Sequence, residues 1–273
     1  MISGMRTISS TGNALVKSVS ALVSRSSERK KQKAFVIEGV RAFREAPAER
    51  LREVFVSEAF IQKCLTEDPV LADRIGSLKC DSYSVTEDVM RKLSDTQHPQ
   101  GILAVVKTDS ASPDDLFPDG AVPLIIVAEH LQDPGNLGTI IRCGEGAGIT
   151  GLILAGDTVD PYNPKTVRGT MGSIFRVPIV ACGEINEAVN MLKERGVMVY
   201  AADARGATDY DRTDLKKGCA FIIGNEGAGL SDDALRAADG SVCIPMSGSL
   251  ESLNAAVCAA VLMYEAARQR RNV

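Results

Sequence analysis

The sequence predicts an α/β protein of two domains, and three features of the chain support that prediction. Short apolar runs alternate with stretches of helical periodicity along most of its 273 residues. After residue 122 the apolar runs are continuous, which is typical of parallel strands buried on both faces. Residues 108–123 are rich in Asp, Ser and Pro, which indicates a linker. We therefore expect one domain at 1–108, a linker at 109–121 and a second domain at 122–273.

The first half has the pattern of a small α/β sandwich. Its apolar runs are short and are separated by segments of helical periodicity. Strands are expected at 34–37, 54–56 and 102–106, and helices near 13–24, 39–46, 58–65 and 86–92.

The second half predicts a parallel sheet covered by helices. Strands are expected at 124–128, 151–154, 197–201, 219–223 and 242–244, and helices near 136–147, 184–195, 231–237 and 252–268. The run GEGAG at 144–148 is similar to part of a dinucleotide-binding fingerprint, but it follows a helical stretch and precedes a strand. It is better explained as the C-terminal turn of a helix.

Composition excludes several classes of protein. With 45% hydrophobic and 24% charged residues, the chain has the balance of an ordinary soluble protein. No apolar run is long enough to span a bilayer, and the N-terminus lacks the hydrophobic region of a signal peptide. The seven cysteines form no C-x-x-C pair, so we expect free thiols and a cytoplasmic protein. Because the chain has only two histidines, no metal site is expected.

Two glycine-punctuated loops near the C-terminus suggest a cofactor pocket. The first, IIGNEGAGLSDD at 222–233, follows an apolar strand, and its glycines allow the backbone to approach a ligand closely. The second, IPMSGSLESLNAAVCAAVLMYEA at 244–266, leads from a short strand through a polar turn into an apolar helix.

Together with DPGNLGTIIRCGEGAG at 133–148, these loops resemble the three motifs of the TrmH (SpoU) family of RNA ribose 2′-O-methyltransferases. The matching residues occur in the order and spacing of the family: Asn136, Gly138 and Arg142, then Gly224, Glu226 and Gly229, then Pro245 with Ser252, Leu253 and Asn254. The resemblance covers residues 122–273. Residues 1–108 resemble the L30e-like substrate-binding domain that often precedes the family's catalytic domain, through KAFVIEGVRAFREA at 33–46 and HPQGILAVV at 98–106.

The resemblance implies a knotted parallel sheet of the SPOUT superfamily, a fold that connection rules alone would not predict. In relatives a deep trefoil knot holds S-adenosylmethionine in a bent shape, gripped mostly by backbone groups. It also implies a homodimer, and the Ala-rich face of the last helix suits close packing. The residues expected at the cofactor are Gly224, Asn225, Gly229, Ile244, Met246 and Leu253.

The reaction implied is methyl transfer from a sulfonium to a ribose 2′-hydroxyl. The resemblance assigns the catalytic site to Arg142, Asn136, Glu226, Ser252 and Asn254. Because a guanidinium stays protonated, we expect Arg142 to grip the target phosphate and stabilise developing negative charge, while the proton leaves through a phosphate oxygen or water.

The other four residues have alternative interpretations. Asn136 fixes Arg142 or the loop before it, caps the helix, or does both. Glu226 pairs with Arg142, holds the motif loops together or is a solvated acid. Ser252 and Asn254 lie at a helix start, so capping is the default for both.

A basic segment in the first half is the candidate RNA-binding surface, although the net charge of the chain is −4. The run RSSERKKQK at 25–33 has five basic residues against one acid, and Arg41 lies nearby. The alternative is a solvated helix end. The residues expected to contact RNA are Arg25, Arg29, Lys30, Lys31, Lys33 and Arg41.

The sequence therefore predicts an S-adenosylmethionine-dependent methyltransferase acting on a ribose 2′-hydroxyl of ribosomal RNA of the 23S type. Ribosomal RNA is favoured because an L30e-like domain suits a structured RNA element. The alternatives are a tRNA 2′-O-methyltransferase, a methyltransferase acting on a base, and a catalytically silent RNA- or ribosome-binding protein. An antibiotic-resistance enzyme would have the same architecture.

Overall fold

The structure, a computed structural model, describes residues 5–109 and 111–271. The chain forms two compact units. The first unit comprises Met1–Asp109 and Tyr162–Phe175, and the second comprises Ser110–Pro161 and Arg176–Val273. No helix in the described ranges is long and apolar enough to cross a membrane.

The N-terminal part of the chain alternates strands with helices, as predicted. Its elements are β1 (Arg6–Ile8), α1 (Ala14–Ser24), α2 (Ser26–Gln32), β2 (Ala34–Glu38), α3 (Val40–Glu45), β3 (Leu51–Ser57), α4 (Glu58–Glu67), α5 (Pro69–Gly76), β4 (Asp81–Val85), α6 (Glu87–Leu93) and β5 (Ile102–Lys107).

The C-terminal part continues the alternation. Its elements are β6 (Leu124–Glu129), α7 (Pro134–Ala147), β7 (Gly151–Ala155), α8 (Pro164–Thr170), β8 (Ile179–Cys182), α9 (Ile185–Glu194), β9 (Met198–Ala202), β10 (Thr208–Asp209), β11 (Cys219–Ile223), α10 (Asp232–Ala237), β12 (Gly240–Cys243) and α11 (Ala255–Arg270).

The first unit is a small α/β sandwich around one five-stranded sheet. The strand order is β1-β4-β3-β5-β2, with β5 antiparallel to both of its neighbours. Apolar side chains are buried on both faces, Phe35 and Val54 in one cluster and Phe55 and Leu22 in the other. Helices therefore cover both faces of the sheet, which confirms the predicted class.

The first unit also contains a segment from the C-terminal half of the chain, which the predicted domain boundaries do not include. Val167 of α8 is buried in the same cluster as Phe35, and the ring of Tyr162 lies 4.7 Å from that of Phe35. The physical reason is burial, since these apolar side chains have their partners in the first unit.

The segment predicted as a linker is largely part of the second unit and packs against its core. Leu116, in a short 3-10 helix, is fully buried in a cluster with Ile153. A capping box between Ser112 and Asp115 starts that helix. Ala111 and Phe117 pack against the same cluster, so the segment is ordered although its composition indicated a linker.

The second unit is built on a seven-stranded, entirely parallel sheet with the order β10-β12-β9-β11-β6-β7-β8. The central strands β6 and β11 pair directly and are fully buried, as their continuous apolar sequences predicted. Because the strands are parallel, the loops after β6, β11 and β12 all leave from the same edge of the sheet.

Helix α7 begins and ends at the expected signals. Asp133 caps its N-terminus, Pro134 is its first residue, and Gly148 ends it at a φ of 80°. The run GEGAG is therefore the end of a helix, and that interpretation is confirmed. Helix α11 packs against α7 and against β11 and β6, which places its N-terminus beside the edge where the loops leave.

Candidate active site

Three motifs that are distant in sequence meet through the side-chain amide of Asn136. Its Nδ2 donates to Glu226 Oε1 at 2.9 Å, and its Oδ1 accepts from Asn254 Nδ2 at 2.9 Å. Asn136 lies in the first turn of α7, Glu226 in the loop after β11, and Asn254 at the start of α11. A continuous series of side-chain hydrogen bonds, Glu226–Asn136–Asn254, thus joins all three motifs.

Glu226 holds the loop before α7 as well as Asn136. Its carboxylate accepts the backbone N–H of Asp133 at 3.3 Å and that of Gln132 at 3.5 Å. Burial is the largest single influence on Glu226 and would raise its pKa, but the hydrogen bonds from Asn136 and the backbone outweigh it, so the pKa is lowered. Within the described residues Glu226 forms no ion pair with Arg142, so it holds the motif loops together.

The loop Gly224–Leu230, here called loop A, is ordered by its own hydrogen bonds. Asn225 and Gly229 exchange two backbone hydrogen bonds of 3.0 Å, and Asn225 Oδ1 accepts from the N–H groups of Gly227 and Ala228. A Cβ on Gly224 would lie 2.4 Å from the carbonyl oxygen of Gly229. Glycine is therefore required at 224 by close backbone packing.

The loop Met246–Leu253, here called loop B, has the opposite character. Its residues form no backbone–backbone hydrogen bond with the described part of the chain, so their N–H and C=O groups are free to bind a ligand or water. Ile244, Met246 and Leu253 are half-buried beside these groups. Free backbone donors and acceptors next to apolar side chains fit an adenine ring, which has both apolar faces and hydrogen-bonding edges.

Asn254 combines the two predicted roles. Its Oδ1 accepts from the N–H groups of Ala256 and Val257, which caps α11, while its Nδ2 reaches Asn136. Ser252 is exposed two residues before the cap, and its hydroxyl has no partner among the described residues. The capping interpretation is therefore wrong for Ser252, because the helix begins later than its apolar pattern suggested.

Arg142 is exposed on α7 and lies apart from the hydrogen-bonded chain. It follows Asn136 by six positions, which places the two side chains roughly 120° apart around the helix. In the part of the chain that the structure describes, its guanidinium has no hydrogen-bond or ionic partner. The loop before α7 is held by Glu226. The side chain of Asn136 binds Glu226 and Asn254, and not Arg142. It does not cap the helix either, since Asp133 does so.

The basic segment of the first unit divides into an exposed set and one buried residue. Arg29 is 4% exposed and donates to the carbonyls of Leu22 and Val23 at 2.8 and 3.2 Å, which closes the C-terminus of α1. It cannot contact RNA in this position, and the expectation for Arg29 is wrong. The remaining candidates are exposed: Arg25, Lys30, Lys31, Lys33 and Arg41.

Glu129, which ends β6, is a buried carboxylate that accepts two hydrogen bonds from Ser231 and was not among the residues predicted from the sequence. The available signal was a charged residue closing the apolar strand LIIVAE. Such a residue needs a specific partner when it is buried.

Comparison with known proteins gives consistent matches over most of the chain. The model of the SpoU rRNA methylase family matches residues 123–264, and that of the MRM3-like substrate binding domain matches residues 13–104. The 23S rRNA (guanosine(2553)-2′-O)-methyltransferase RlmP of Bacillus subtilis is 34% identical and aligns over 95% of this chain and 98% of its own length.

Two solved structures show the same fold. The SpoU methyltransferase AviRb of Streptomyces viridochromogenes, in complex with AdoMet, is 29% identical with a TM-score of 0.84, covering 95% of this chain and 98% of its own. An AdoMet-bound rRNA methyltransferase of Sinorhizobium meliloti is 28% identical with a TM-score of 0.84, covering 97% and 98%.

Proposed function

The chain belongs to the SpoU rRNA methylase family, and we propose that it transfers the methyl group of S-adenosylmethionine to a ribose 2′-hydroxyl of 23S-type ribosomal RNA. The observation that carries the proposal is the chain Glu226–Asn136–Asn254, which joins the three motifs at one edge of the sheet. Two relatives that align over both domains are named as enzymes of ribosomal RNA, which favours this substrate over tRNA.

The cofactor is S-adenosylmethionine, which supplies an electrophilic methyl group. We propose that the backbone groups of loop B with Ile244, Met246 and Leu253 hold its adenine, and that loop A, through Gly224, Asn225 and Gly229, forms the opposite wall. Loop A is ordered by its own hydrogen bonds, so little entropy is lost there when the cofactor binds. We also propose that the chain is knotted here, supported by α11, which returns from β12 to pack on β11 and β6.

Glu226 and the two asparagines are positioning groups in this proposal. Both oxygens of Glu226 already accept hydrogen bonds, so the carboxylate is poorly placed to remove the hydroxyl proton. Exposed Arg142 instead grips the phosphate beside the target ribose and stabilises the developing alkoxide charge. The proton leaves to a phosphate oxygen or to water.

A homodimer brings a second surface to the site. Val257 and Tyr264 of α11 are each 48% exposed, and together with half-buried Val261 they form an apolar stripe at helical spacing. The side chains of Arg142 and Asn136 point from different sides of α7. We therefore propose that the Arg142 guanidinium contributes to an active site that is completed by the partner subunit. Light scattering at micromolar concentration tests this, and a monomer would contradict it.

The basic surface of Arg25, Lys30, Lys31, Lys33 and Arg41 is proposed to bind the RNA backbone in the cytoplasm. Phosphate contacts of this kind make affinity depend on salt. Lys30→Ala and Lys31→Ala should weaken RNA binding and flatten its salt dependence. Arg29→Ala should lower the melting temperature with little effect on the salt slope, because its side chain is buried.

The decisive experiment is transfer of labelled methyl to ribosomal RNA and tRNA from cells lacking this gene, followed by nuclease P1 digestion and mass spectrometry. We expect a labelled ribose in ribosomal RNA. Arg142→Ala should lower the rate about 10²–10³-fold, and Arg142→Lys should not restore it because it lacks the planar fork. Label on tRNA or on a base, or cofactor binding without transfer to any RNA, would contradict the proposal.

A further inference from the structure

Glu129 carries a buried charge that the site described above does not use. It is the last residue of β6, is 1% exposed, and has no basic side chain paired with it in the described ranges. Its Oε2 accepts the backbone N–H of Ser231 at 3.0 Å, and its Oε1 accepts the hydroxyl of Ser231 at 2.6 Å. Burying a carboxylate is unfavourable unless such hydrogen bonds compensate for lost hydration.

Ser231 is the first residue after loop A. Its Oγ accepts from Ala234 N at 3.0 Å, which caps α10. A serine cap needs no carboxylate behind it, so helix formation alone does not explain Glu129. The additional effect of the two bonds is to fix the backbone and side chain of Ser231 relative to the end of β6.

The start of loop A is held by His130, the residue that follows Glu129. Asn225 Nδ2 donates to the carbonyl of His130 at 2.9 Å. Glu129 and His130, adjacent in sequence, therefore hold the end and the start of a loop that carries Glu226. The carboxyl end of β6 thus acts as a two-point support for loop A.

We propose that Glu129 is a positioning residue for cofactor binding: by clamping Ser231 it keeps loop A in the conformation that receives S-adenosylmethionine. The effect on the reaction is indirect, since Glu129 is buried behind the loop and reaches it through Ser231. The proposal rests on the family's use of this cofactor and adds a residue that the three motifs do not contain.

The test compares Glu129→Ala with Asp239→Asn. Asp239 accepts the N–H of Val199 at 2.9 Å and pairs with Lys193, so its replacement removes a structural carboxylate just beyond the other end of α10. Three quantities are measured for each variant: the melting temperature, amide hydrogen exchange of residues 224–231 without cofactor, and the Kd of S-adenosylmethionine by calorimetry.

For Glu129→Ala we expect loop A to exchange at least about tenfold faster and the Kd to rise about tenfold or more, as loss of a buried hydrogen-bonded pair implies. Asp239→Asn should leave the Kd within about twofold even at an equal loss of melting temperature. Glu129→Gln should restore much of the affinity, since its amide can accept from the backbone N–H of Ser231 and donate to the hydroxyl.

Unchanged exchange and affinity in folded Glu129→Ala would overturn the proposal, as would equal losses of affinity in both variants at equal loss of melting temperature. If Glu129→Ala does not fold, Ser231→Ala takes its place, because it removes the hydroxyl bond to Glu129 and keeps the backbone one. Ser231→Ala also removes the cap of α10, so its control is Asn13→Ala, which removes only a helix cap. Failure of the unaltered protein to bind S-adenosylmethionine would count against the proposed function. Hydrogen exchange without cofactor, in contrast, tests only whether the hydrogen bonds between Glu129 and Ser231 order loop A.

Discussion

Loop A and loop B leave the same edge of the sheet but are held in different ways. Loop A has two reciprocal backbone hydrogen bonds, an asparagine that accepts two further N–H groups, and supports at both ends. Loop B has no backbone–backbone hydrogen bond within the described residues and is tied down only where Asn254 begins α11.

The difference indicates a division of labour. A loop whose polar groups are already paired is rigid and can position side chains such as Glu226. A loop whose backbone groups are unpaired can offer them to a ligand and becomes ordered when the ligand binds. We therefore interpret loop A as the fixed wall of the pocket and loop B as the wall that the cofactor completes.

The largest expected effect comes from adding one methyl group to loop A, with the same addition to loop B as its control. In Gly224→Ala the new Cβ would meet the carbonyl of Gly229 at 2.4 Å, whereas a Cβ on Gly248 has no neighbour within 4 Å. Overpacking of this kind costs about 1–3 kcal/mol, so Gly224→Ala should weaken cofactor binding about 5- to 150-fold. Gly248→Ala is the matched control and should bind within about twofold. Equal affinities, measured by calorimetry, would contradict the rigid-wall interpretation.

Asn254→Ala should have the next largest effect because it releases loop B from α7. Loss of the cap alone costs about 0.5–2 kcal/mol, and loss of the contact with Asn136 should lower cofactor affinity and turnover further. Asn13→Ala removes a comparable cap from α1, where Asn13 Oδ1 accepts from Leu15 N at 2.8 Å, and should lower only the melting temperature. Calorimetry with single-turnover kinetics separates the two, and parallel losses in both variants would support a purely structural cap.

Hydrogen exchange with and without cofactor tests the comparison directly. Loop B should gain several-fold protection when S-adenosylmethionine binds, because its amides acquire partners. Loop A should change little, since the amides of Asn225, Gly227, Ala228 and Gly229 are already paired. Protection gained mainly in loop A would reverse our assignment of the two walls.

The smallest expected effect is on stability at low pH. The pKa of Glu226 is lowered from its ordinary value of 4.5, so its hydrogen bonds stabilise the fold fully above that pH. The contribution is lost as the pH falls through the lowered pKa. The difference in melting temperature between the natural protein and Glu226→Gln should therefore be greatest near neutral pH and should shrink below about pH 4. A difference that grows on acidification would show that Glu226 is not held as a carboxylate.

Much of the fold was predictable because burial leaves a clear pattern. The continuous apolar runs predicted β6 and β11, and Asp133, Pro134 and Gly148 predicted both ends of α7. Strand β4, DSYSV, was missed because its two apolar residues alternate with serines and form no continuous apolar run, and β10 because it has only two residues. Helix α8 was missed because its seven residues include few apolar ones.

For the candidate site, the sequence predicted the residues but not the contacts between them. Motif spacing predicted that Asn136, Glu226 and Asn254 belong to one site, but not which atoms bond. The burial of Arg29 and the clamp between Glu129 and Ser231 depend on neighbours distant in sequence, so local pattern could not reveal them.

The sequence by itself determined the α/β class, the parallel sheet and the family, because periodicity, capping signals and motif residues are local properties of the chain. Only the tertiary structure decided which segment belongs to which unit, which carboxylates are buried and how the two loops are held. Those outcomes depend on hydrogen bonds and packing between residues as distant in sequence as Asn136 and Asn254, or Phe35 and Tyr162, and such contacts exist only once the chain has folded.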